Sequence, residues 1–172
     1  MFKLILISML FVTSSYIGFM YGETFRKRCD EVKEILKALI ILQNEIIYGS
    51  TPLPEALETL KVKVNSPLDE ILDKTNKKLI QGNVKSVYQA FNEEFMLLEE
   101  KFYLSQSDKR IIGDFLKSLG ESGVFGQEKI FNLAIENIKI NLKEAEDISR
   151  KNIKVYRCLG ICVGAMLTIF LI

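Results

Sequence analysis

Residues 44–60, reading NEIIYGSTPLPEALETL, hold the end of one apolar helix, a turn and the start of another. Gly49 is placed to close the first helix after Tyr48, because glycine takes up a left-handed C-terminal cap without a Cβ clash. Ser50 or Thr51 then serves as N-cap of the second helix, with Pro52 at its first position. Glu55 follows as a first-turn acid or as the returning arm of a capping box. Pro54 still falls in the first turn, where a missing N–H costs nothing. The expected product is a tight helix–turn–helix corner displaying Tyr48, Leu53 and Leu57 close together.

On both sides the apolar residues keep helical steps. Before the corner, 24–48 reads as a long helix with Val32, Ile35, Leu36, Leu39, Ile40, Leu42 and Ile46 on a wide stripe. After it, a short helix over 52–62 places Leu53, Ala56, Leu57 and Leu60 on one face. Ser66 and Pro67 are expected to cap and start a third helix, 68–81, burying Leu68, Ile71, Leu72, Leu79 and Ile80. Gly82 ends it and Asn83 caps the fourth. That helix, 84–103, carries Val87, Tyr88, Phe91, Phe95, Leu98 and Phe102, a stripe read as core. Ser105 or Ser107 caps a fifth, with Ile111, Ile112, Phe115, Leu116 and Leu119 inward and Gly120 at its end. A glycine-rich loop, GESGVFG, leads to the last and longest helix over 127–154, with Ile130, Leu133, Ala134, Ile138, Leu142, Ala145 and Ile148 in rhythm.

Composition agrees with an all-α chain of one modest domain: 172 residues, 48% apolar and 26% charged, with three prolines and ten glycines. A net charge of +1 offers nothing to attract phosphates, so no nucleic-acid partner is expected. The chain has no histidine, which removes the commonest metal ligand and the usual near-neutral base. Three cysteines, an odd number, argue against a disulfide framework.

Both ends read as membrane segments. Residues 2–21 are apolar apart from Lys3 and long enough to cross a hydrocarbon core of about 30 Å. A signal peptide is the competing reading, but no A-x-A site is present and a second apolar segment, 155–172, closes the chain. Because 158–172 is short for a full crossing, Arg157 has to snorkel or the bilayer thin. Arg26, Lys27, Arg28, Lys33 and Lys37 follow the first segment, and Arg150, Lys151, Lys154 and Arg157 precede the second. The positive-inside rule therefore puts the middle of the chain in the cytoplasm and both termini outside. The expected organisation is a transmembrane helix at 1–22, a cytoplasmic bundle of about six helices at 23–154 and a transmembrane helix at 155–172. Gly18 with Gly22, and Gly160 with Gly164, mark small-xxx-small faces for pairing with each other or with a neighbour. Cys158 and Cys162 read as small lipid-buried thiols, since no further ligand is near.

No chemistry-bearing constellation emerges. GESGVFGQEK lacks the Walker spacing and a preceding strand, and the carboxylates sit among lysines on polar faces. The expectation is a non-enzymatic protein without cofactor or metal.

The N-terminal span with its basic flank, then Glu45, Ile46, Tyr48, Gly49, Thr51, Pro52, Leu53, Ala56 and Leu57, then Leu119-Gly120 before a long charged helix and a second span, resembles the stage III sporulation protein AB family of endospore-forming bacteria. The resemblance covers essentially the whole chain; the glycine-rich run at 123–126 departs from it. It implies a mother-cell membrane protein facing the forespore, within a channel-like assembly. It also implies a cytoplasmic domain similar to inner-membrane platform proteins of type II secretion and type IV pilus systems. The implied partners are a cytoplasmic secretion-type ATPase, other membrane subunits of the same complex and the lipid bilayer. The alternative is a membrane-tethered sensor, which requires a sizeable apolar cavity with a few convergent polar groups.

Overall fold

The computed structural model describes residues 2–82, 84–121 and 124–171. Every regular element among them is helical: α1 (Phe2–Gln43), a π-helical turn (Asn44–Tyr48), α2 (Leu53–Lys63), α3 (Leu68–Ile80), α4 (Val87–Leu98), a 3-10 turn (Glu99–Lys101), α5 (Gln106–Glu121) and α6 (Val124–Leu171). All three prolines fall at two corners, 52/54 and 67, so neither of the long helices meets a break. The chain forms two compact units, one of Met1–Cys29 with Lys143–Ile172 and the other of Asp30–Leu142. The first takes in both apolar segments with Arg26, Lys27 and Arg28 on one flank and Arg150, Lys151, Lys154 and Arg157 on the other; Lys33 and Lys37 belong to the second.

In the second unit α2 packs on α3, α3 on α4 and α4 on α5. Parts of α1 and α6 complete one core through Val32, Ile35, Leu39, Leu42, Phe131, Ala134, Ile135 and Ile138. Phe115 meets Phe131 edge to face with ring centroids 4.9 Å apart, in the geometry favoured by the ring quadrupoles. Most expected core positions are buried or half-buried, and three are not. Ile40 and Leu133 lie exposed, and Ile80 faces solvent as the last residue of α3, where the chain turns off at Gly82 (φ 70°). On α6 the buried stripe steps through Phe131, Ala134, Ile135, Ile138 and Asn141, a register that turns Leu133 outward.

Several caps differ from expectation. Pro67, in a cis peptide after Ser66, occupies the N-cap of α3. Asn65, not Ser66, closes that turn: its carbonyl accepts from Leu68 N–H at 3.1 Å, while its own N–H and Nδ2 donate to Glu34. Asn83 lies outside the described residues; α4 is capped by Ser86, whose Oγ accepts from Gln89 N–H at 3.2 Å. The fourth helix is also shorter than 84–103. Past the 3-10 turn the backbone extends at Phe102 (φ −108°, ψ 143°), Tyr103 N–H donates to Glu31 at 2.7 Å, and Leu104 enters the core. GESGVFG is helical at Glu121 and again from Val124; Ser122 and Gly123 lie outside the described residues.

In the first unit the N- and C-terminal arms pack side by side. Phe25 and Tyr21 both stack on Tyr156, and the Arg157 guanidinium lies over the Phe19 ring at 4.6 Å. Among the described residues one helix is long and apolar enough to cross a membrane, Gly126–Phe170 within α6.

Candidate functional site

The corner that the sequence singles out follows directly on α1. The helix does not end on a left-handed glycine. Its last turn widens into the π turn, where Gly49 N–H reaches the Asn44 carbonyl at 2.9 Å. Gly49 stays right-handed (φ −83°, ψ −17°), and Ser50 takes the left-handed conformation instead (φ 52°). Glycine is needed at 49 for another reason: a Cβ there would lie 2.7 Å from the Glu45 carbonyl oxygen and 3.1 Å from Thr51 Oγ1.

Glu45 ties the corner together. Its carbonyl accepts from Thr51 N–H at 2.9 Å, its carboxylate accepts from the Thr51 hydroxyl at 3.3 Å, and Lys63 Nζ stands 3.5 Å away. With the hydroxyl so engaged, neither Ser50 nor Thr51 caps α2. Pro52 (φ −57°, ψ 143°) is the N-cap, its carbonyl accepting from Ala56 N–H at 2.9 Å. Leu53 is the first helical residue, and Pro54 and Glu55 complete the first turn. Tyr48, Leu53 and Leu57, the residues expected close together at the corner, differ in exposure. Leu57 and Ala56 are buried in the core, Leu53 is half-buried against it, and Tyr48 is 70% exposed. Tyr48 sits on the π turn and Leu57 one turn into α2, so one points to solvent while the other points inward.

The four glycines of the apolar arms all face the opposite arm, and Gly18 and Gly160 meet each other. A Cβ on Gly18 would lie 2.7 Å from the Tyr156 carbonyl oxygen and 2.9 Å from Gly160 Cα. One on Gly160 would meet Gly18 Cα at 3.0 Å and the Ser14 carbonyl oxygen at 3.1 Å. A Cβ on Gly164 would lie 2.9 Å from the Phe11 ring, whereas one on Gly22 would have ordinary room, 3.6 Å from Ile153. Of the two pairings open from spacing alone, the arms here pair with each other. Ser14 Oγ–H donates to the Gly160 carbonyl across the seam at 3.1 Å. Cys158 and Cys162 stand exposed on α6 with their sulfurs 4.0 Å apart.

The polar groups of the bundle are arranged as ion pairs. Lys101 and Lys74 hold the Glu70 carboxyl below the usual carboxylate range; Lys77 and Lys61 do so for Asp73. Lys78, then Gln89, lowers Glu93, and in return Glu93 and Glu94 raise the Lys78 ammonium. Carboxyls held ionised in this way are poor proton donors at neutral pH. Among the described residues no three of Cys, Asp or Glu are placed to hold a metal ion.

Ser105, one of the two expected caps of the fifth helix, does cap it, in a buried polar cluster whose other members, Asp108 and Asn141, the sequence reading did not single out. Asp108 is fully buried (0% exposed) and accepts from Ser105 N–H at 2.8 Å and Ser105 Oγ at 2.7 Å, while Ser105 Oγ accepts from Asp108 N–H at 3.2 Å. Its other oxygen accepts from Asn141 Nδ2 at 2.7 Å, which ties the start of α5 to α6. The signal was available, since Ser105-x-x-Asp108 is a capping-box spacing with aspartate as the acid. An apolar space in the core, between Leu39, Leu60, Leu72, Thr75, Phe95 and Leu116, measures about 60 Å³. Small-molecule sites run to roughly 300–1,000 Å³, so this space does not supply what a ligand sensor requires.

Comparison with known proteins gives one consistent answer. The family model described as "Stage III sporulation protein AB (spore_III_AB)" matches residues 3–172. Stage III sporulation protein AB of Bacillus subtilis (strain 168) is 25% identical over 171 residues, covering 99% of both chains. A solved structure of a stage III sporulation protein AB superposes with a TM-score of 0.65 at 23% identity, over 72% of this chain and 96% of that one; at that identity it shows a shared fold. With a family model matched along virtually its whole length, the chain belongs to the stage III sporulation protein AB family.

Proposed function

We propose that this protein is a non-enzymatic, two-pass membrane platform subunit of a sporulation complex, with its bundle in the mother-cell cytoplasm linking a secretion-type ATPase to membrane subunits. Family membership supports the place in sporulation. The observation that carries the membrane reading is the seam at Gly18 and Gly160, where a Cβ on Gly18 would clash with backbone and one on Gly160 would be tightly crowded by it. Close backbone approach at small residues is how membrane helices pair when lipid removes the hydrophobic drive between them. The corner at Tyr48 is the proposed contact with the ATPase: an exposed aromatic ring held on a π turn, a helix defect that recurs at functional sites.

The test separates contact from packing. Tyr48→Ala is expected to leave the melting temperature of the full chain in detergent nearly unchanged and to abolish co-purification of the ATPase. Leu57→Ala is expected to cost about 3 kcal/mol, as for other buried leucines. Retained co-purification with Tyr48→Ala refutes the contact. Topology is read separately. Cys29 is buried, so an impermeant thiol reagent should be directed to Glu128→Cys in a chain whose native cysteines are replaced. Labelling of that residue in intact cells overturns the cytoplasmic placement.

A further inference from the structure

Between α4 and α5 an open groove of about 230 Å³ is walled by Tyr88, Phe91, Phe95 and Met96 on one side and by Ile112 and Gly113 on the other. Phe91 and Phe95 stack with centroids 6.0 Å apart, and Met96 is 66% exposed. Along α5 one stripe reads Lys109, Gly113, Lys117, each four residues from the next. The lysines lie on the aromatic wall, Lys109 Nζ over Phe95 at 5.5 Å and Lys117 Nζ over Tyr88 at 4.6 Å. Lys109 also pairs with Glu99 at the groove's edge.

Gly113 is the informative residue. Glycine inside a helix is destabilising relative to alanine, a cost that a steric need for glycine would explain. Here there is none within the chain. A Cβ on Gly113 would meet only the Tyr88 ring, at 3.5 Å, which is ordinary van der Waals contact. Gly49 and Gly18 are forced by backbone atoms of this molecule and Gly160 is tightly opposed by them; Gly113, like Gly22, is not. What its missing side chain does provide is an open floor midway between two ammonium groups.

We propose that this groove receives an amphipathic helix of a protein partner, with apolar residues set against Phe91, Phe95 and Met96 and its backbone crossing closely at Gly113. Acidic residues on that helix, about two turns apart, would meet Lys109 and Lys117, which are separated by about 12 Å along α5. The charge requirement selects the partner: an acidic amphipathic helix and not a basic one. The groove is distinct from the Tyr48 corner, so either can fail without the other.

The full chain in detergent micelles, titrated with a fluorescent leucine-faced helical peptide carrying two glutamates two turns apart, tests this by anisotropy. The glutamate peptide should bind about tenfold or more tighter than the same peptide with lysines. Gly113→Ala should raise the melting temperature while weakening the glutamate peptide. A folded Lys109→Glu/Lys117→Glu chain should invert the preference. Equal binding of both peptides, no binding of either, or Gly113→Ala that stabilises without weakening binding overturns the proposal. So does self-association of the wild-type chain that Gly113→Leu abolishes, because the occupant is then a second copy.

Discussion

The Glu45 carbonyl oxygen stands 2.7 Å from where a β-carbon on residue 49 would sit, while the next residue, Ser50, carries the left-handed backbone. Steric need and conformational need thus fall on neighbouring positions. Gly49→Ala is expected to destabilise the full chain by about 2 kcal/mol, since backbone rather than a flexible side chain must give way. Ser50→Gly should stabilise it by up to about 1 kcal/mol by relieving a left-handed non-glycine residue. Chemical denaturation followed by circular dichroism checks both, and the opposite order would refute this account of the corner.

A matching contrast holds in the apolar arms. Gly18→Ala and Gly160→Ala push against backbone atoms, whereas Gly22→Ala enters ordinary contact space. The first two should lower the melting temperature of the full chain in detergent or lipid nanodiscs, and Gly22→Ala should leave it within a degree or two. Equal effects from all three would show that the seam is not close-packed.

Asp108→Ala removes the acceptor of Ser105 and Asn141 from a fully buried position. Loss of the carboxylate arm of the capping box, with donors on Ser105 and Asn141 left short of an acceptor, should cost about 3 kcal/mol. Asp108→Asn keeps the shape but places an amide opposite the Asn141 amide, and should recover only part of that. Both are read from urea midpoints.

Acid should loosen the α2–α3–α4 layer. Glu70, Asp73, Glu58 and Glu93 all titrate below their ordinary range because lysines hold their ionised forms. The unfolded chain then takes up protons more readily than the folded one. This contribution is therefore present above about pH 4.5 and is lost as pH falls through the lowered folded values. The raised lysines, Lys61 and Lys78, act oppositely, losing their contribution only as pH rises past the ordinary lysine range. The pairs are exposed, so the effect should be modest and weakened by salt. A melting temperature unchanged from neutral pH to pH 3 at low salt would contradict it.

Much of this was legible in order along the chain. Helical spacing placed Val32, Ile35, Leu39, Leu57, Ile71, Phe115 and Ile138 in the core, and the prolines marked both corners, because those signals depend on residues a few positions apart. The residue run around Tyr48 also carried the family. What escaped was choice between near-equivalent local solutions. Leu133 and Phe131 both fit a helical rhythm on α6, and only packing against Phe115 selects Phe131. Ser50, Thr51 and Ser66 are all sound caps in isolation. Thr51 is diverted to Glu45, and Asn65 is fixed by Glu34 from another helix.

The sequence alone therefore determined the all-α class and the absence of histidine chemistry, since each follows from local periodicity or composition. Tertiary structure decided which glycines are sterically forced, which apolar residues face out and where Asp108 finds its partners. Those outcomes depend on atoms brought together from distant parts of the chain, and short-range spacing carries no record of them.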